Sequence, residues 1–282
     1  MLVTVIHRAV LEKKLIDAIM EKIPGELEHR GDYFQLHHSR PVSIEALTEL
    51  RRDWAMDINT LPSQFAPDGV RLLISDMDST FINIECVDEI ADFAGVKPQV
   101  HAITEAAMRG ELNFEGSLVQ RVKLLTGLDA EVLQKVYDER LLLNPGGEQM
   151  LKCLKSHNIK FALVSGGFTF FTDQLKTRYG LDYTRANVLE INDGHLCGRV
   201  MGDIVGADSK ASYLLELCKE LDIELSQTVA IGDGANDLKM MKLSGLSIAF
   251  HAKAKVQAQA DVVLNYVGLE GVCHLLNIPT HS

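Results

Sequence analysis

Val70-Arg71-Leu72-Leu73-Ile74-Ser75-Asp76-Met77-Asp78-Ser79-Thr80 joins an apolar run to two carboxylates separated by one residue. Apart from Arg71 at its start, the run is apolar on both faces. That predicts a strand over residues 70–75, buried on both sides, as in the parallel sheets of α/β folds. In such sheets ligands bind beyond the carboxyl ends of the strands, near the switch point of the strand order. Asp76 and Asp78 fall at that end. Side chains two apart on an extended segment face the same way, so the two carboxylates can share one pocket.

The sequence on either side supports this frame. Residues 84–145 are mainly helical in pattern, and Asn144-Pro145-Gly146-Gly147 closes them. Beyond, helices are predicted over 148–157, 169–179, 210–221, 235–244, 252–260 and 269–276, and strands over 160–164, 228–231, 246–250 and 261–264. A hairpin is predicted over 188–199 about Asn192-Asp193-Gly194. This alternation implies an α/β fold with a Rossmann-like parallel sheet core covered by helices. Upstream the pattern differs: a strand over 2–6, a helix over 12–23 ended by Pro24-Gly25, a hairpin over 26–38 about Gly31-Asp32, and a helix over 43–56 with Ser43 as its N-cap. Residues 60–69, with Pro62, Pro67 and Gly69, read as a linker. The expected division is a small α+β domain over 1–66 and a larger α/β domain over 67–282.

Composition bounds the function. The 282 residues include 28 Lys+Arg against 39 Asp+Glu, a net charge of −11, and 46% hydrophobic residues, so the chain is globular and acidic. An acidic balance argues against nucleic acid as a partner, since phosphate contacts need clustered Lys and Arg. Apolar runs such as 72–74 and 161–164 are strand-length, whereas a membrane span needs about 18 apolar residues. The start of the chain does not read as a secretory signal. The five cysteines form no C-x-x-C pair, which favours reduced thiols in a cytoplasmic protein.

Two further strand ends carry chemistry. The strand at 160–164 runs into Ser165-Gly166-Gly167, and that at 228–231 into Gly232-Asp233-Gly234-Ala235-Asn236-Asp237. Lys210 stands at the start of a helix, after Gly206-Ala207-Asp208-Ser209. Two strand ends therefore supply up to four carboxylates: Asp76, Asp78, Asp233 and Asp237. Like charges about 4 Å apart repel by roughly 4 kcal/mol at an effective dielectric of about 20, so their convergence calls for a cation. Mg²⁺ suits such a site, because it takes oxygen ligands and needs only one or two carboxylates besides substrate phosphate. Ser165, the N–H groups of a Gly-Gly turn and Lys210 offer donors and positive charge to a phosphate. Together these point to phosphoryl transfer. A carboxylate can be the nucleophile, forming an aspartyl-phosphate, while its neighbour protonates the leaving alkoxide and later deprotonates water.

Other motif readings fail on particular residues. An EF-hand loop starting at Asp76 needs Gly and Glu where the chain has Phe81 and Val87. A dinucleotide fingerprint starting at Gly232 needs Gly where the chain has Asp237. A signalling receiver also places carboxylates, a hydroxyl and a Lys at strand ends, but it is a short single domain without a helical insert after the first strand.

On these residues the chain resembles the haloacid dehalogenase-like phosphatases, over about residues 72–276. The densest stretches are Asp76–Thr80 with Glu85, Met108-Arg109-Gly110-Glu111-Leu112-Asn113-Phe114, Ser165-Gly166-Gly167-Phe168, Gly202-Asp203-Ile204-Val205, and 232–237. The helical-insert residues narrow the resemblance to members that act on phosphoserine. It implies Asp76 as the nucleophile and Asp78 as the general acid/base. It implies Asp76, the main-chain carbonyl of Asp78 and Asp233 as Mg²⁺ ligands, with Asp237 nearby. Ser165, Gly166 and Lys210 match phosphate-binding residues, and Asn236 a contact on the phosphate side. Glu85 matches the residue that receives the substrate ammonium, Arg121 the one that pairs its carboxylate, and Phe114 the one that packs above the substrate.

The implied activity is Mg²⁺-dependent hydrolysis of O-phospho-L-serine to L-serine and phosphate, the last step of serine synthesis. Another small phosphomonoester, such as phosphohomoserine, is the alternative substrate. Phosphoserine carries a carboxylate and an ammonium, so a selective pocket needs one basic and one acidic residue, and Arg clamps a carboxylate in a bidentate way that Lys does not. Without the resemblance, Arg121 would read as a surface salt bridge, Glu85 as a solvated helix start and Phe114 as a core aromatic. The insert at about 84–145 resembles a helical cap, whose closure excludes water while the aspartyl-phosphate forms. The N-terminal unit looks like a reduced ACT-type domain, a regulatory or dimerising module. The alternative is a packing extension that stabilises the chain or its homodimer.

Overall fold

The structure is a computed structural model that describes residues 1–108 and 111–280. Its first sheet is built from β1 (Leu2–Ile6), β2 (Glu26–His29), β3 (Phe34–His38) and β4 (Ile58–Thr60), in the antiparallel order β2-β3-β1-β4. Helices α1 (Lys13–Lys22) and α2 (Ile44–Trp54) cover it. Leu15 and Ile19 lie four apart on α1 and pack with Ile6, Leu36, Leu50 and Ile58. Ser43 caps α2, its Oγ accepting the Ala46 N–H at 3.1 Å.

The second sheet is the larger. Its strands are β5 (Leu72–Ser75), β6 (Lys160–Phe168), β7 (Tyr183–Asn192), β8 (His195–Met201), β9 (Thr228–Gly232), β10 (Leu246–Phe250) and β11 (Val262–Leu264), in the order β11-β10-β9-β5-β6-β7-β8. All neighbours are parallel except β7 and β8, the expected hairpin. Leu72 and Ile74 face one buried layer and Leu73 the other, the alternation of a strand covered on both sides. The chain leaves β5 toward β6 on one side and later returns to β9 on the other. The switch point therefore lies at the carboxyl end of β5, where Asp76 is.

Between β5 and β6 are inserted α3 (Cys86–Phe93), α4 (Lys97–Met108), α5 (Phe114–Lys123) and α6 (Glu131–Glu139), followed by α7 (Gly147–Ser156), which leads into β6. The other covering helices are α8 (Thr169–Tyr179), α9 (Ala207–Leu221), α10 (Leu238–Leu243), α11 (Ala254–Gln257) and α12 (Gly271–Leu275). Three of the boundaries that depart from the sequence pattern bear on the strand ends. The strand expected to stop at residue 164 continues through Ser165–Gly167 with a register shift against β7, so this segment is bulged strand rather than a turn. The helix expected from residue 210 begins at Ala207, placing Lys210 in its first turn. The helix expected over 235–244 spans only Leu238–Leu243, because the preceding residues form a loop that turns Asp237 inward.

The two sheets are joined by polar side chains that satisfy backbone groups. Asp57 accepts the N–H groups of Asn265, Tyr266 and Val267 at 2.8–2.9 Å. The Asn59 amide both donates to the Val263 carbonyl and accepts its N–H, each at 2.9 Å, so it covers the open edge of β11 as a neighbouring strand would.

Candidate active site

β5 delivers Asp76, whose N–H still joins the ladder through the Ile231 carbonyl at 3.0 Å. A single wide turn over Met77–Phe81 follows, closed by Ile82 N–H on the Met77 carbonyl at 3.0 Å. Such π-type turns cost regular helix geometry, and Ser79 sits in the left-handed region at φ 57°. The turn folds the chain back so that Asp78 lines the same cavity as Asp76. That cavity, about 760 Å³, lies between the strand ends and α3–α5.

Around Asp76 the geometry separates its two oxygens. Oδ1 accepts the Met77 N–H at 2.7 Å and meets Lys210 Nζ at 2.6 Å. Oδ2 has no hydrogen-bond partner among the described residues. Lys210 is fully buried and also reaches Asp237 Oδ1 at 2.7 Å, while Asp237 Oδ2 accepts the Gly234 N–H at 3.0 Å. Asp233 Oδ1 accepts the Thr80 hydroxyl at 3.3 Å. Asp76, Asp233 and Asp237 each bring a carboxylate oxygen within 4.8 Å of the others.

Two of the three carboxylates, Asp76 and Asp237, therefore share one buried ammonium. Burial, with Asp237 beside it, pushes Asp76 well above the ordinary carboxylate range against the pull of Lys210. Burial and Asp237 raise Asp233 to about 6. For Lys210 burial favours the neutral amine, but Asp237 and Asp76 outweigh it and keep the ammonium charged. The cluster is oxygen-only and short of positive charge, the donor chemistry of a hard divalent cation.

Asp78 is held apart from this trio. Its Oδ1 accepts the Cys86 N–H at 2.9 Å and its Oδ2 the Ser165 hydroxyl at 3.1 Å. Burial raises its pKa; these donors oppose the shift. Ser165 in turn accepts the Gly167 N–H at 2.7 Å. A Cβ on Gly167 would come within 2.7 Å of Asp78 Oδ2, and one on Gly166 within 2.6 Å of Phe114 Cζ, so both positions need glycine for close approach. Asn187 holds this bulge by donating to the Gly166 carbonyl while accepting the Val205 N–H, each at 2.8 Å.

Farther out, Glu85 stands at the N-terminal boundary of α3 without a capping bond from its side chain, and accepts the Ser79 hydroxyl at 2.6 Å. It is exposed on its cavity side, yet the protein around it and the charge of Asp78 push its carboxyl up to about 7. Arg121, on α5, is lowered by burial, which Asp88, Glu85 and Asp78 partly offset. Phe114 opens α5 beside Gly166.

Of the residues singled out from sequence, Asp76, Asp78, Glu85, Phe114, Arg121, Gly166, Asp233 and Asn236 line the cavity. Ser165, Lys210 and Asp237 stand behind its wall, with their polar atoms on Asp78, Asp76 and Gly234. Arg109 and Gly110, within the quoted insert stretch, lie outside the described residues. The pattern passed over Asp88, Thr104, Lys253 and Lys255, which also line the cavity, and Thr80 and Asn187, which support it. Asp88 had one readable signal, its place three residues after Glu85 on a predicted helix.

The fold and this site define a hydrolase class, and the chain belongs to the haloacid dehalogenase-like hydrolase family, whose model matches residues 70–245. It is 52% identical over 224 residues to a phosphoserine phosphatase of Polaromonas sp. (strain JS666), covering 78% of this chain and 95% of that protein. The crystal structure of an unliganded probable phosphoserine phosphatase from Vibrio cholerae superposes with a TM-score of 0.84 at 37% identity, covering 98% of this chain and 85% of that one. A phospho-aspartyl intermediate analogue of a phosphoserine phosphatase matches with a TM-score of 0.69 at 41% identity, over 73% of this chain and 98% of that one.

Proposed function

We propose that this chain is a Mg²⁺-dependent phosphatase that hydrolyses O-phospho-L-serine to L-serine and phosphate through an aspartyl-phosphate on Asp76. One observation carries the reading: a single cavity holds the Asp76–Asp78 pair at its floor and groups of opposite charge, Glu85 and Arg121, farther out. A phosphate on Asp76 would leave the ammonium and carboxylate of the same small molecule to those two side chains. The names of the relatives agree with this substrate.

In the first step Asp76 Oδ2, the oxygen left without a donor, attacks phosphorus. The bond from phosphorus to the serine oxygen breaks as Asp78, which burial biases toward its protonated form, gives that oxygen a proton. In the second step Asp78 takes a proton from water, the water oxygen attacks phosphorus, and the bond to Asp76 breaks. Ser165 keeps Asp78 oriented throughout, and Lys210 holds Asp76 Oδ1. Asp76, the main-chain carbonyl of Asp78, and Asp233 would hold Mg²⁺, with Asp237 behind them; the ion supplies charge neutralisation to the phosphoryl oxygens. The insert at about 84–145, α3–α6, acts as the cap that excludes water.

We read residues 1–66 as an ACT-like module and 67–282 as the phosphatase domain. The β2-β3-β1-β4 order supports the first part of that reading. The five free cysteines accord with a cytoplasmic enzyme.

The test is phosphate release, with and without Mg²⁺, from phosphoserine, phosphothreonine, phosphohomoserine and p-nitrophenyl phosphate. Phosphoserine is expected to have the highest kcat/KM, and Arg121→Ala to raise its KM about 100-fold while changing that of the neutral ester less than about threefold. A preference for phosphohomoserine, or equal effects of Arg121→Ala on both substrates, would overturn the assignment.

A further inference from the structure

Asp88 enters the cavity wall from the first turn of α3, on the same helical face as Glu85. Its Oδ1 is buried and has no hydrogen-bond partner among the described residues. A buried carboxylate oxygen in that condition is costly unless a donor reaches it. Arg121 is the cation that acts on it most strongly, ahead of Lys97 and His101. Lys97 is already paired with Glu89 at 3.4 Å and lies 3.9 Å from Asp92. In return, Asp88 acts on Arg121 more strongly than Glu85 or Asp78 does.

Arg121 is correspondingly underused. Its Nε donates to the Ser117 carbonyl at a long 3.4 Å, and no carboxylate lies within ion-pair distance of it among the described residues. A guanidinium has five donors in a planar fork, enough to serve one carboxylate on one edge and a second on another. We propose that Asp88 is a positioning residue for Arg121: from the same cavity wall, beyond ion-pair distance, its unpartnered carboxylate supplies counter-charge to the desolvated guanidinium and leaves the Arg121 N–H groups free for the substrate carboxylate. This rests on Arg121 being the carboxylate receptor.

Two analogues separate the roles, each used as a competitive inhibitor of phosphoserine hydrolysis. 3-Phosphoglycerate has the carboxylate without the ammonium, and O-phosphoethanolamine the ammonium without the carboxylate. Asp88→Asn is expected to raise the KM for phosphoserine and the Ki of 3-phosphoglycerate about tenfold, leaving the Ki of phosphoethanolamine within about twofold and kcat within about threefold. Asp88→Glu keeps the charge and is expected to recover part of the loss with the same selectivity. It also carries the test alone if Asp88→Asn fails to fold. In an Arg121→Ala background Asp88→Asn is expected to add nothing.

Equal weakening of both analogues, or weakening confined to phosphoethanolamine, overturns the proposal. If Arg121→Ala selectively weakens 3-phosphoglycerate while Asp88→Asn does not, only the positioning role falls. If Arg121→Ala is itself unselective, the reading of Arg121 falls and the positioning role with it.

Discussion

Asp76→Asn separates catalysis from stability. Asp76 sits within 4.8 Å of carboxylate oxygens of both Asp233 and Asp237. At the outer limit of that distance and an effective dielectric of about 20, each like-charge pair repels by about 3.5 kcal/mol, so the substitution relieves about 7 kcal/mol. It also gives up the attraction of Asp76 to Lys210 Nζ at 2.6 Å, about 6 kcal/mol on the same scale. The two nearly cancel. The fold should therefore shift by about 1 kcal/mol, or roughly 3 °C in Tm for a domain of this size. Turnover should fall by about 10⁴-fold or more, because an amide oxygen cannot form the aspartyl-phosphate. The measurements are a thermal melt and phosphate release from phosphoserine, on the same preparations. A Tm more than about 10 °C below that of the unsubstituted protein would refute the charge accounting. Turnover within about tenfold would refute the covalent role of Asp76.

Recognition is expected to depend on pH if the substrate ammonium is received, as proposed, by Glu85. Its carboxyl is raised to about 7, so the anion that receives an ammonium is the minor form at pH 6 and the major form at pH 8. KM for phosphoserine is expected to fall as pH rises through that window, and in Glu85→Gln this limb should disappear from the steady-state pH profile. Gly166→Ala puts a methyl within 2.6 Å of the Phe114 ring edge, so KM should rise about tenfold with little change in Tm, and Phe114→Leu in the same chain should recover part of the loss.

The α/β architecture was legible because its strongest signals are local. Leu72, Leu73 and Ile74 are apolar at consecutive positions, which in a strand means burial on both faces, and Leu73 and its two neighbours do lie in opposite layers. Turn chemistry at Asn192-Asp193-Gly194 marked the hairpin for the same reason, with Asp193 and Gly194 both at positive φ. Boundaries were less legible where tertiary contacts override propensity. The Ser165–Gly167 bulge stays in the sheet because Asn187, far along the chain, holds the Gly166 carbonyl. The loop before α10 is kept from winding into helix by Asp237, whose carboxylate bonds both Gly234 and Lys210.

The chain by itself determined which residue types stand at each strand end, and thus a phosphoryl-transfer chemistry rich in carboxylates with a lysine and a hydroxyl. It did so because strand periodicity and turn residues act over a few positions. Only the tertiary structure decided which of those groups face the cavity and which brace them. Ser165, Lys210 and Asp237 turn away from the open space toward Asp78, Asp76 and Gly234, and Asp88 turns into it. Those orientations follow from burial and from charges brought together across long stretches of sequence, which no local pattern encodes.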